Sequence, residues 1–250
     1  MRKNQIFRGA RPNQIVRGAW PPYIRTSLAV CLAAFSLSGC VRFSIPAGQS
    51  APRIERYVPE YQSPRFNGMP VINAAIEVDR FGTVAAFDTT EMVYSPGDSR
   101  LDAYNYSRWR AAPGEMEGDF LYRDLFRACL FSVVFPYAAE GRARFKIDGT
   151  VERFMESDGK SGSRAELRLF ITLLDMERTD LPGHALFQRP YEAALPLSGN
   201  SAGAMARGMG RSMARLSGEI LADVYKAARE SIANTAGQLK RRGAGGRGGK

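Results

Sequence analysis

Arg164-Ala-Glu-Leu-Arg-Leu-Phe-Ile-Thr-Leu-Leu-Asp175 decides the fold class. Ala165, Leu167, Leu169, Ile171 and Leu173 recur at every second position, the period of a β-strand with one face on a core. The opposite face changes from Glu166 and Arg168 to Phe170 and Leu174, so cover on both sides is expected for its second half. Upstream, 143–154 alternates in the same way through Phe145, Ile147, Gly149 and Val151. Downstream, 185–197 reads as a weaker strand interrupted by Pro190 and Pro196, residues that give no N–H to a ladder.

Beyond these strands the period changes. Met205, Met209, Met213, Leu216, Ile220, Val224, Ala228 and Ile232 follow spacings of three and four, predicting one long helix over 202–232. Pro113 opens a second helix over 113–129, with Leu121, Leu125 and Ala128 on one stripe. A strand is expected at 71–78. A hairpin is expected from 91–95 and 101–104 around Pro96-Gly97-Asp98. Strands and helices in this mixture predict an α/β fold in which helices, one of them long and C-terminal, flank a mixed sheet.

The flanks are of another kind. Residues 1–39 carry six Lys and Arg and no acid, and residues 237–250 carry five and no acid. Of the net charge of +10, these eleven cations leave about −1 for 40–236, so a nucleic-acid-binding body is not expected. Arg25 ends a basic region, an apolar run extends from Leu28 to Phe35, and Leu37-Ser38-Gly39-Cys40 closes it. The stretch from Thr26 to Gly39 would rise about 21 Å as a helix, short of the ~30 Å of a bilayer core. Such a segment reads as a signal peptide. Leu37, Ser38, Gly39 and Cys40 resemble the bacterial lipobox, which implies cleavage before Cys40 and lipid attachment to its thiol. Val41, in place of Asp, implies outer-membrane residence under the sorting rule of such lipoproteins. The expected organisation is a lipoprotein signal peptide at 1–39, a lipidated cysteine with a Pro-rich tether at 40–70, a domain at 71–236, and a disordered Arg/Gly tail at 237–250. Within the tether, one edge strand is expected near 56–58.

Catalytic chemistry finds no foothold. His184 is the sole histidine and sits in the turn Leu181-Pro-Gly-His184; Gly-x-Ser-x-Gly is absent. Cys31 would leave with the signal peptide and Cys40 takes the lipid, so Cys129 has no disulfide partner; among Phe126, Leu130 and Phe131 it reads as a buried small hydrophobe. Histidine and cysteine are too few for a metal site, the acidic residues are dispersed, and Gly208-Met-Gly210 lacks the third glycine of a dinucleotide loop. No catalytic residue, metal or cofactor is expected. Met205, Met209 and Met213 could line an adaptable contact, but their stripe continues into Leu216 and Ile220, which favours packing on the sheet. Trp109 reads as core, while Tyr104 and Tyr106 are candidate partner contacts.

Ile76-Glu-Val78, Met92-Val-Tyr94, Tyr104-Asn-Tyr-Ser-Arg-Trp109, the strands at 145–154 and 165–175, and the small-residue-rich closing helix resemble the ABC-type transport auxiliary lipoprotein family. The resemblance implies a three-layer α/β/α sandwich with a mixed sheet of about five to six strands and a long C-terminal helix. It also implies a non-enzymatic periplasmic subunit of a lipid-transport system, lipid-anchored to the outer membrane. Its implied partners are an MCE (mammalian cell entry) domain protein, a permease and an ATPase, with a homo-oligomer as one candidate assembly. On the residues alone two other classes stay open: a structural envelope lipoprotein binding peptidoglycan or an outer-membrane assembly machine, and a lipid-anchored periplasmic enzyme.

Overall fold

The computed structural model describes residues 52–245 except 98, 161 and 179–183. The signal peptide, the lipobox residues Leu37, Ser38, Gly39 and Cys40, and Val41 lie outside the described residues.

The two most regular alternating stretches pair with each other. β7 (Phe145–Gly159) and β8 (Gly162–Asp175) run antiparallel from Phe145 opposite Asp175 to Gly159 opposite Gly162. A bulge between Val151 and Arg153 changes which residues of β7 face inward: Phe145, Ile147, Gly149 and Val151 before it, Phe154 and Glu156 after it. β9 (Ala185–Pro196) adds to the outer edge of β8. Along the other edge of β7, three short strands pair in succession: β2 (Ile72–Val78), β3 (Gly82–Thr83) and β4 (Glu91–Ser95), all parallel to it. β6 (Phe131–Phe135) extends the sheet from β2, and β5 (Asp102–Trp109) with β1 (Glu55–Tyr57) extends it from β4. The result is a mixed sheet of nine strands among the described residues. It exceeds the expected five or six because one long strand carries three short ones end to end along one edge.

Helix α1 (Pro113–Ala128) and helix α2 (Ala202–Gly245) both lie on the inward face of β7 and β8. Ser217 of α2 donates to Asp124 of α1 at 2.6 Å, so the two helices touch. The α/β class, the mixed sheet and the long closing helix agree with the sequence reading. The helical cover, however, is a single layer: no helix packs on the opposite face among the described residues. That face carries cross-strand charge pairs instead, Arg168 with Glu152 at 2.7 Å and with Glu192 at 2.6 Å, and Arg153 with Glu166 at 3.0 Å. Phe170 and Leu174 are only half-buried there.

Met205, Met209, Met213, Leu216, Ile220, Val224 and Ala228 are all fully buried, which makes the methionine stripe core. Each of the larger side chains contributes roughly 1.5–3 kcal/mol by leaving water. The two glycines of Gly208-Met-Gly210 permit close approach: a Cβ on Gly208 would stand 2.9 Å from Ala165 Cβ, and one on Gly210 would stand 2.5 Å from the Glu60 carbonyl oxygen.

That second contact corrects the tether. From Glu55 onward the proline-rich segment is docked on the domain. β1 pairs parallel with β5 from Glu55 opposite Ser107 to Tyr57 opposite Trp109, Pro59 is buried, and Pro64 packs by Gly218. Proline withholds an N–H but still packs, so this stretch forms a strap across the helices.

Candidate functional site

The strap leads to a buried polar cluster on α1. α1 begins at Pro113 without a side-chain cap, and its buried stripe runs through Leu121, Leu125 and Ala128. Two acids share that stripe, Glu117 and Asp124, seven residues and about two turns apart. Both are fully buried. Asp124 is well satisfied: Tyr61 and Ser63 of the strap each donate to it at 2.6 Å, Ser217 of α2 does so at 2.6 Å, and Arg123 pairs with it at 2.8 Å. Arg123 also lies 4.4 Å above the Tyr61 ring. Burial and then the Asp124 charge raise the Tyr61 hydroxyl far above its ordinary range, so it stays a neutral donor. Glu117 differs. Neither of its oxygens has a hydrogen-bond partner, and burial, helped by Asp124 and opposed by Arg123, pushes its carboxyl up to about 8. At neutral pH it is mostly protonated.

Sequence reasoning missed this cluster. The signal was present: Glu117 and Asp124 occupy positions on the same helical stripe as Leu121 and Leu125. The hydroxyl partners of Asp124 come from 61 and 63 residues away in the strap and 93 away in α2, separations that no local pattern encodes.

The candidate contact residues Tyr104 and Tyr106 share β5, but the structure gives them different surroundings. Tyr104 turns inward, donates to Glu156 at 2.8 Å and packs edge-on to Tyr94 with ring centroids 5.5 Å apart. It lines a shallow cleft of about 240 Å³ with Tyr94, Glu156, Asp158 and Asn200. Burial raises both Glu156 and Tyr104, the second also through its bond to Glu156. Tyr106 is 54% exposed. Trp109 is fully buried against Phe154, 5.0 Å between centroids, as expected of core.

Cys129 is not a buried hydrophobe. It is the C-cap of α1 in the left-handed conformation, φ 51°, and it is exposed. The turn that ends the helix carries it outward, while Leu130 and Phe131 go on into the core. His184 is half-buried, with Nδ1 3.2 Å from the Arg178 carbonyl oxygen. Among the described residues, no three His, Cys, Asp or Glu gather to hold a metal ion, and no helix is long and apolar enough to cross a membrane.

The fold and its polar clusters define an α/β domain whose buried charges tie a strap to two helices. The chain belongs to the ABC-type transport auxiliary lipoprotein family, whose model matches residues 61–221. The match begins at Tyr61, the first residue of the strap to reach Asp124. Among solved structures, protein XCC0632 from Xanthomonas campestris, of family DUF330, is similar at 16% identity and a TM-score of 0.64, covering 71% of this chain and 98% of its own. A second, uncharacterized protein is similar at 15% identity and a TM-score of 0.52, covering 65% of this chain and 99% of its own. At such identities the likeness shows the fold alone. No curated protein matches the chain.

Proposed function

We propose that the chain is a non-enzymatic, lipid-anchored periplasmic subunit of an MCE/ABC-type lipid-transport system, acting as an adaptor between the MCE assembly and the outer membrane. The observation that carries this reading is membership of the transport auxiliary lipoprotein family over 61–221. Two features support it. The prominent buried acids, Asp124 and Glu117, face the protein's own strap and helices, an arrangement suited to holding shape and offering no substrate a reactive group. The lipobox at Leu37, Ser38, Gly39 and Cys40 supplies an attachment point, and Val41 favours the outer membrane.

The docked strap changes the reach of that anchor. Only residues 41–54 are left to link Cys40 to β1, and at ~3.1 Å per residue they extend to about 43 Å, about half of what a tether to residue 70 would allow. With Tyr104 engaged by Glu156, Tyr106 is the better of the two candidate contacts.

The functional test is movement of labelled phospholipid between the two membranes. A strain lacking the chain should transport poorly and recover with the wild-type chain but not with Cys40→Ala. Normal transport in the deletion strain would refute the proposal.

A further inference from the structure

At the edges of the sheet lie β1, β6 and β9, and the sequence guards two of them. β9 carries Pro190 and Pro196 along with Arg189 and Glu192. β1 is only three residues long, two of them Glu55 and Arg56. Shortness, charge and proline are the devices that keep an open edge from pairing with a foreign chain. β6 carries neither charge nor proline. It reads Phe131-Ser-Val-Val-Phe135 and pairs only with β2 among the described residues. Ile72 N–H donates to the Leu130 carbonyl oxygen at 2.8 Å. Backbone groups of successive residues point alternately to the two sides of a strand, so Ser132 and Val134 turn theirs towards β2, and Val133 turns its N–H and C=O outward. The Val133 side chain is 43% exposed as well.

Aromatic side chains gather next to this edge. α1 packs on β6, and Tyr122 and Phe126, one turn apart on that helix, have ring centroids 6.3 Å apart. Phe126 is 61% exposed, and so is more than half of Tyr137, two residues beyond the end of β6. Tyr122 and Tyr137 line one cleft of about 330 Å³ together with Phe81, Pro136 and Asp119. The neighbouring Glu115 is already paired with Arg80. Asp119 has no such cation: partial burial and then the Glu115 charge raise its carboxyl, and no positive group opposes them.

We infer that β6 and this cleft bind an extended segment of another protein, which adds to β6 as a strand and places a Lys or Arg in the cleft at Asp119. Outward N–H and C=O groups are matched in register only by another extended backbone, and the apolar face of such a strand covers Val133. The cation meets Asp119 and the Tyr122 and Tyr137 rings. A second copy of the chain is the poorer occupant. Five residues give about 17 Å of edge, and a strand pair of that length buries far less than the roughly 1,600 Å² of a stable interface between folded proteins. The surface lies at the other end of the strand order from β5 and its Tyr106, and it does not depend on the transport reading.

Random decapeptides displayed on phage, panned on the chain from residue 40 onward with Cys40→Ala, test the inference. Enriched peptides should alternate apolar and polar residues and carry Lys or Arg at one end. Resynthesised with N-methyl groups on every second residue, they should lose at least ~10-fold in affinity in one register and keep it in the other, since only one set of amides faces β6. Val133→Lys, at an exposed position, should leave the urea midpoint of the domain unchanged and weaken binding by at least ~10-fold. Asp119→Asn should weaken it by roughly 3-fold. Enrichment of no sequence, equal loss in both N-methyl registers, undiminished binding by either variant, or a self-associated chain that Val133→Lys dissociates would overturn the inference.

Discussion

Replacing Glu117 by Gln should remove a pH dependence from the stability of the whole domain. Burial pushes this carboxyl up to about 8, against 4.5 for an ordinary glutamate. Below about pH 4.5 it is protonated folded or unfolded and contributes nothing. Between the two values the unfolded chain releases the proton while the folded chain keeps it, so the unfolded state binds fewer protons and stability falls as pH rises. The slope approaches about 1.4 kcal/mol per pH unit, giving a loss of roughly 3 kcal/mol by neutral pH and a plateau above about pH 8. Glu117→Gln cannot ionise and lacks this pH dependence. Urea unfolding followed by Trp109, which is fully buried, measures both proteins across the range. The wild type should lose roughly 3 kcal/mol relative to the variant between about pH 4.5 and 7, the other titrating groups cancelling in the difference. Glu117→Met, which removes the two unpartnered oxygens altogether, should be more stable than wild type at neutral pH. Parallel wild-type and Gln profiles would refute the reasoning, since they would mean that Glu117 finds solvent or a cation on folding.

The other expectations concern single positions. Cys129→Gly should stabilise the domain by about 0.5–1 kcal/mol in the same unfolding assay, because the residue is exposed and its φ of 51° favours glycine. Cys40→Ala should abolish incorporation of labelled palmitate and release the chain from membranes; continued labelling would place the lipid elsewhere. Val41→Asp should move the chain from outer- to inner-membrane fractions on a sucrose gradient, and an unchanged distribution would show that the sorting rule does not apply to this chain.

The parts of the fold legible in the sequence are those whose periodicity is long and uninterrupted. β8 and α2 can be read because one face of each repeats over many residues, and a wrong period would put charge into the core. β6 escapes such a reading, since Phe131–Phe135 comes directly after α1 and has no alternating pattern of its own. The strap reads locally as free tether because prolines dominate it, while what fixes it is Tyr61 and Ser63 meeting Asp124 some sixty residues on. Phe170 and Leu174 suggest cover on both faces, yet they sit half-buried, opposite Pro190 and Ala185 of β9. Cys129 has apolar neighbours in sequence, but a helix C-cap reverses the chain within one residue. Of the candidate site, Tyr106 is exposed as a contact residue must be, and Tyr104 is held by Glu156, a partner 52 residues distant.

The central claim is that the domain holds an MCE assembly to its membrane, and direct binding tests it most closely. Residues 52–245, which include the strap that a domain starting at residue 71 would lose, should retain the cognate MCE protein in a pull-down, and Tyr106→Asp should weaken that retention. Failure of the wild-type domain to capture the MCE protein, with peptidoglycan or an outer-membrane assembly machine captured in its place, would contradict the adaptor role.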